Sequence, residues 1–441
     1  MKIKTDKFIL ADNGKLTIYM SVEGTNDITQ TSVVVDTNST SFFVGKVATE
    51  LTDLIYLSAI VYGIDRTFNR NKFSIDGWAR EFDVTVKVES FPHFLSLEKD
   101  WNTMLTFLTG DFWNIHFIQQ DAQFKYSSIE LPELDDKIEQ VNLFSGGMDS
   151  LIGAIDFMSQ EHESKLCLVS HLDQNMSGPK VDQERLLEMF EQKYKGKYYR
   201  FPIVRIYPQI KGGETTCRSR SLMFLSIALL VAAYKNIGIV VPENGSVSLN
   251  FPLTKSRRAA CSTRTTHPLF IYQLKKILDS LNIHIPIHNP YEFKTKGMMV
   301  HECTDRDYLI NVLNKSNSCG KRNQKQFFYD HPDASHCGRC MPCMYRRASL
   351  LGFQDSTIYG LELKNIYNYH SRLSDDFYAL LSYLKKELTD NDIRKELRIA
   401  GLGKLSHFED YVTLVQNTRK ELKNLIIAEG SLEEKKHIGL V

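Results

Sequence analysis

Ser145, Gly146, Gly147, Met148, Asp149 and Ser150 form a run whose residue types suit the handling of phosphate. Val141, Leu143 and Phe144 before it read as the end of a buried strand. Leu151, Ile152, Ala154, Ile155 and Met158 after it recur at helical spacing. At a strand-to-helix turn, glycines let backbone N–H groups crowd round an anion, and the helix N-terminus adds partial positive charge. A pyrophosphate fits that cradle. Two glycines alone would serve an ordinary β–α turn equally well; the complete hexapeptide in this context favours phosphate binding. The other common phosphate loop, G-x-x-x-x-G-K-[ST], is absent.

A second cluster suits a metal. Cys337-Gly-Arg-Cys340-Met-Pro-Cys343 is a C-x-x-C-x-x-C run with Cys319 upstream. Thiolates at that spacing converge on one ion, and Cys319 would close a tetrahedral Zn²⁺ site with no open position. Cys303 and His336 are alternatives to Cys319 as fourth ligand. A Cys₄ iron–sulfur cluster and plain packed thiols are the competing readings.

The elements that must position these groups differ along the chain. In residues 1–135, KLTIYMSV, TSVVVD and FDVTVKVES alternate as strands do, and VATELTDLIYLSAIVYGIDRTF reads as a long amphipathic helix. Trp101 to Leu108 and Phe112 to Ile118 suggest a further helix and strand, and Asp65 with Arg66 reads as a local ion pair. Residues 131–136, LPELDD, read as a hinge. From 136 to 354, apolar strands (VNLF, KLCLVSHL, GIVVP) alternate with apolar helices, the pattern of a parallel α/β sheet. Residues 355–441 show 3.6-residue periodicity and read as a helical packing extension.

Composition narrows the function. Lys+Arg total 54 against Asp+Glu 53 in 441 residues, which argues against general nucleic-acid binding. There is no run of apolar residues long enough for a membrane helix, and the start MKIKTDKFILADNGK lacks a secretory apolar core. A cytoplasmic protein is expected. Four of the eight cysteines crowd into one stretch, which in a reducing compartment suggests metal rather than disulfides.

The hexapeptide is the signature of the PP-loop ATP pyrophosphatases, and the chain resembles that superfamily (adenine nucleotide alpha hydrolase-like). The resemblance implies that Ser145, Gly146, Gly147 and Ser150 hold the β- and γ-phosphates of ATP and that Asp149 binds Mg²⁺. Asp149, Ser145 and Ser150 are then the expected catalytic set, and an acyl-adenylate, or its equivalent on an amide oxygen, the expected product. With the cysteine run and Arg346, the chain is similar to the 7-cyano-7-deazaguanine synthase (QueC) family, whose zinc motif is C-x₈-C-G-x-C-x-x-C-x-x-R. The longer gap between Cys319 and Cys337 requires KRNQKQFFYDHPDAS to loop out.

Further matches extend the resemblance. Arg220, within Cys217-Arg-Ser-Arg-Ser221, corresponds to a segment facing the nucleotide, although a solvated helix start would also place arginines there. Glu243 and Asn244 follow an apolar strand, where an open α/β sheet binds ligands. Arg264, Thr265 and His267 precede the helix FIYQLKKIL, which Thr266 and Pro268 can also start by capping alone. These five residues are the expected acceptor site, between the Glu243–Asn244 turn and residues 262–267. Lys294-Thr-Lys296-Gly resembles the family's T-K segment, with Lys296 kept outside the expected site.

The length and N-terminal extension resemble the larger QueC relatives of bacterial anti-phage defence, the QatC group of the Qat system. This implies an ATP-dependent enzyme that adenylates 7-carboxy-7-deazaguanine for reaction with a nitrogen nucleophile. That nucleophile is ammonia, as in synthesis of the 7-cyano base, or an amine on a protein partner of the same system. A non-catalytic ATP-binding scaffold is the alternative from a different class.

Overall fold

The computed structural model describes residues 1–121, 133–176, 178–210, 213–257, 264–322, 324–328, 331–367 and 371–440. The alternating N-terminal segments become strands: β1 (Lys2–Leu10), β2 (Lys15–Glu23) and β3 (Gln30–Asp36) form an antiparallel meander. Leu16, Ile18, Met20 and Val22 of β2 point into the core at every second position. β4 (Glu81–Val88) joins β1 in parallel, and β5 (Phe112–Gln119) joins β4. Helix α1 (Thr49–Thr67) packs on this sheet, followed by α2 (Arg70–Phe73), α3 (Phe91–Ser96) and α4 (Glu98–Thr109).

α1 departs from the expected amphipathic helix. Every residue from Leu51 to Thr67 is buried, because the helix lies between the sheet and a second helix described below. The approach is close: a Cβ on Gly63 would stand 2.9 Å from the Val33 side chain.

The second layer begins after residue 135. β6 (Ile138–Leu143) leads through α5 (Met148–Met158) to β7 (Lys165–Val169), and β8 (His171–Leu172) follows at once. Then come α6 (Gly178–Lys193), β9 (Tyr198–Arg200), β10 (Val204–Pro208), α7 (Arg220–Lys235), β11 (Gly238–Val240), α8 (Gly245–Leu249), α9 (Pro268–Ser280) and β12 (Ile287–His288). Five of these strands make an all-parallel sheet in the order β12-β11-β6-β7-β9. The Ser145–Ser150 loop stands at the C-terminal end of its first strand, as expected from the sequence.

KLCLVSHL is not one strand. At Ser170, whose hydroxyl donates to the Phe144 carbonyl at 2.9 Å, the chain leaves the parallel sheet. β8 then pairs with β10, and β10 pairs antiparallel with β3, completing a seven-stranded sheet ordered β5-β4-β1-β2-β3-β10-β8. That sheet crosses the expected 135/136 domain boundary, and one apolar core runs from Ile3 to Ile287. The boundary is therefore one of sequence texture, not of packing. Of the expected hinge, Leu131 and Pro132 lie outside the described residues, and Leu134 is buried in the shared core.

The remaining helices cover one flank: α10 (Lys296–Glu302), α11 (Arg306–Val312), α12 (Met341–Ser349), α13 (Leu363–Ile366), α14 (Asp375–Lys385), α15 (Asp390–Ile399), α16 (Phe408–Glu429) and α17 (Leu432–His437). α16 packs against α8 and α12. Among the described residues, no helix is long and apolar enough to cross a membrane.

Candidate active site and metal centre

The loop after β6 is shaped by Gly146, whose φ of +84° is left-handed. A side chain there would also meet the Gln183 backbone nitrogen at 3.1 Å and the Asp182 Cβ at 3.3 Å, so only glycine fits against α6. Gly147 donates its N–H to Ser145 Oγ at 3.3 Å, and Ser150 Oγ donates to the Gly147 carbonyl at 2.9 Å. The two serine hydroxyls are 3.3 Å apart. Ser145 is exposed and Ser150 buried, so one rim of the loop is open while the other is anchored. The loop borders a cavity of about 280 Å³ that also meets Glu243, Lys296, Arg220 and Arg322.

Asp149 is the electrostatic centre. It is 6 % exposed and is bonded by Lys296 Nζ at Oδ1, while Asn244 Nδ2 donates to Oδ2 at 2.7 Å. Burial works against its charge, but Lys296 and these hydrogen bonds hold the carboxyl below its ordinary range. Beside it, burial first and the Asp149 carboxylate second push the Glu243 carboxyl well above its ordinary range. Asn244 is fully buried and also accepts from Val247 N at 3.0 Å as the cap of α8. Its side chain is thus engaged by Asp149 and by the start of α8.

Lys296, outside the site expected from the sequence, pairs with Asp149 at its centre. It opens α10, whose cap Thr295 donates to Glu421 of α16. The C-terminal extension thus braces the helix that carries this lysine.

Arg220 opens α7 and borders the loop cavity. Its Nε donates to His171 Nδ1 at 3.4 Å, and His171 Nε2 donates to the Ile206 carbonyl at 2.9 Å, which sets the neutral imidazole's tautomer. Just upstream, Ser219 N and Oγ donate to Asp65 Oδ2 at 3.0 and 2.8 Å. Asp65 does not pair with Arg66: it pairs with Arg80 at 2.6 Å, whereas Arg66 pairs with Asp173 at 3.2 Å. Burial alone would raise the Asp65 carboxyl, but Arg80 and Arg70 hold it at about 2. The start of α7 is thereby clamped to the end of α1.

The cysteines converge as expected. Cys319, Cys337, Cys340 and Cys343 are buried, with their sulfurs within 4.8 Å of one another. The Sγ separations are 3.4 Å (Cys340–Cys343), 3.8 Å (Cys337–Cys343) and 4.0 Å (Cys319–Cys340). Four sulfurs about 2.3 Å from one tetrahedral ion lie about 3.8 Å apart, so this group can hold a metal such as zinc. Backbone N–H groups of Lys321 and Cys337 point at Cys319 Sγ at 3.4 and 3.3 Å, as around a thiolate. Cys319 is thus the fourth member; Cys303 packs in a different core, and His336 Nε2 instead accepts from Ser318 N at 3.2 Å.

The metal group and the loop are mechanically joined. Asn317 N donates to the Gly146 carbonyl at 3.0 Å, and Met148 N donates to Ser318 Oγ at 3.4 Å. Arg346, fully buried, holds Leu313 and Ser316 by its guanidinium. Asn317 and Ser318 could have been suspected from their place beside Cys319; nothing in the sequence pointed to Arg322, which pairs with Asp182 at 3.0 Å.

Arg264, Thr265 and His267 are not brought to the loop cavity. Arg264 donates to the Phe107 carbonyl at 2.8 Å and covers the Phe107 ring at 4.3 Å. His267 is buried, meets the same ring, and caps α9 through Nδ1 accepting from Leu269 N at 3.2 Å. Thr265 is half-buried between them. Arg264 and His267 border a separate cavity of about 30 Å³, room for about a water or two. Ser262 lies outside the described residues. No family model matches the chain, and no curated protein matches it.

Proposed function

We propose that the chain is a PP-loop ATP pyrophosphatase of the QueC-like type, which adenylates the carboxylate of a 7-deazaguanine for attack by a nitrogen nucleophile. The observation that carries this reading is the loop itself: left-handed Gly146 and the start of α5 stand over a buried Asp149–Lys296 pair at the end of a parallel strand. The exposed Ser145 and the backbone N–H groups beside it suit the β- and γ-phosphates of ATP. Lys296 and Arg220 add positive charge where charge develops on the phosphates.

The donor set also suits a divalent cation. Asp149 has lone pairs beyond those given to Lys296 and Asn244, and the Glu243 carboxyl stands beside it as a second oxygen donor. Mg²⁺ bound by Asp149 and Glu243 would neutralise the leaving pyrophosphate. A carboxylate oxygen of the acceptor attacks the α-phosphorus, and pyrophosphate departs with the bonding pair. The nitrogen nucleophile then adds to the acyl carbon, AMP leaves, and the nitrogen's proton passes to solvent. Zinc on the four cysteines is structural in this scheme. The place in bacterial anti-phage defence is supported by the resemblance in motifs and length.

The test is incubation with ATP, Mg²⁺, 7-carboxy-7-deazaguanine and ammonia, with and without proteins encoded nearby, followed by mass analysis of small molecules and intact proteins. AMP and pyrophosphate are expected, and Asp149→Ala should abolish their formation. A free 7-carboxamide, or the nitrile formed when the amide oxygen attacks the α-phosphorus of a second ATP and then leaves as AMP with loss of the nitrogen's protons, identifies ammonia as nucleophile, and added mass on another protein identifies conjugation. ADP as the product, or no acceptor-dependent turnover, overturns the proposal.

A further inference from the structure

One face of α16 reaches both segments that hold Asp149. Tyr411, Leu414, Thr418 and Glu421 recur along it at helical spacing. Tyr411 donates to Glu292, and a Cβ on Gly245 would stand 2.7 Å from the Leu414 side chain. Ser246 Oγ donates to Thr418 Oγ1 at 2.6 Å, because the Thr418 proton goes to the Leu414 carbonyl at 2.7 Å. Thr295 Oγ1 donates to Glu421. Asn244, which bonds Asp149 Oδ2, lies two residues before Ser246, and Lys296, which bonds Oδ1, follows Thr295. Gly245 N donates to the Lys294 carbonyl at 2.8 Å, so α16 lies across two segments already joined to each other.

Glu421 has the most specific of these contacts. A half-buried carboxylate on a packing face is costly unless it is bonded, and both its donors belong to the start of α10. Thr295 Oγ1 gives its proton to Glu421 and accepts from Met298 N at 3.1 Å as the helix cap. The Gly297 N–H also donates to the carboxylate, and a side chain on Gly297 would collide with it. Lys296 stands between these two donors, with its side chain 4 % exposed.

We propose that Glu421 is a positioning residue. By fixing the residues on either side of Lys296, it sets where that side chain leaves α10 and holds the ammonium against Asp149 at the loop cavity. α16 is then part of the nucleotide site as well as a packing extension. The role of Lys296 toward phosphate rests on the proposed function; its placement by Glu421 does not.

The test uses the full-length protein and trace acetylation of its lysines by acetic anhydride, resolved residue by residue by mass spectrometry, with the exposed Lys195 as internal reference. Glu421→Ala should acetylate Lys296 about tenfold faster than wild type, the worth of one charge-assisted hydrogen bond. Glu421→Gln keeps an acceptor oxygen for both donors and should label as wild type does. Leu380→Ala opens a cavity in the core under α14 and removes none of these bonds; it should lower the urea midpoint yet leave Lys296 slow. In the AMP assay, Glu421→Ala should lower kcat about tenfold with the KM for ATP within about twofold, and Glu421→Gln should restore kcat. Should Glu421→Ala fail to fold, Glu421→Ser, whose hydroxyl is too short to reach Thr295, carries the same comparison.

Unchanged Lys296 labelling in Glu421→Ala, equal acceleration in Leu380→Ala or in Glu421→Gln, or a wild-type kcat alongside fast labelling overturns the positioning role. The adenylation reading is judged separately: the expected labelling pattern with no AMP from wild type keeps the positioning role and removes that reading. AMP from wild type with unchanged labelling in Glu421→Ala does the reverse.

Discussion

Asp149 and Lys296 are each less than a tenth exposed, so neither charge is tolerable without the other. Lys296→Met should cost about 3–5 kcal/mol, because it leaves a buried carboxylate uncompensated. Asp149→Asn should cost a comparable amount by stranding the lysine. The double variant should recover much of that loss, since it removes both charges while keeping the volume, yet it should remain inactive. Chemical denaturation of the four proteins measures the cycle. Additive losses in the double variant would show that the pair contributes little to the fold.

At the scale of elements, the four cysteines matter for what they hold. Residues 317–319 run from the loop to the metal group, so the bonds from Asn317 and Ser318 to Gly146 and Met148 depend on Cys319 being tied down. Removing metal with a chelator, or replacing Cys340 by Ser, should raise hydrogen exchange at 316–320 first and at 145–149 with it. The amides of β6 should keep their protection. Exchange that rises at the cysteines but leaves the loop unchanged would separate the two. α16 plays the matching part on the other side, since Glu421 accepts from the Thr295 cap of the helix that presents Lys296.

For the whole molecule, the seven-stranded sheet makes the N-terminal segment inseparable from the rest. Deleting residues 1–135 would remove the β3 partner of β10, the Tyr62 bond to Asp173 at 2.8 Å and the Asp65 clamp on α7. Residues 136–441 expressed alone should aggregate, and a soluble monomer on gel filtration would contradict this. Acid should act globally as well. Burial, and then Arg220 or Arg264, lowers His171 and His267 from 6.5 to about 3. Between those values the unfolded chain binds protons that the folded chain refuses, so stability is lost as pH falls below about 6.5, by about 1.4 kcal/mol per pH unit for each imidazole. His267→Asn keeps a good helix cap, so its urea midpoint should fall less than that of wild type between about pH 7 and about pH 5. An equal fall would show that His267 does not titrate this way.

The local signals were readable in one dimension. Gly146 in its loop, the strand before it, the helix after it and the convergence of three closely spaced cysteines follow from backbone geometry and short spacing, which the chain carries wherever it folds. The long helices and the alternating N-terminal strands were legible for the same reason. What was not legible depended on distant partners. Lys296 meets Asp149 across 147 positions, and Asp65 turns from its neighbour Arg66 to Arg80 and Ser219, because buried charges choose partners by three-dimensional proximity. The switch of sheets at Ser170, the burial of α1 on all sides and the diversion of Arg264 and His267 onto Phe107 were likewise decided by packing. Residue types and spacing determined which chemistry was available; the tertiary structure decided which groups meet to perform it.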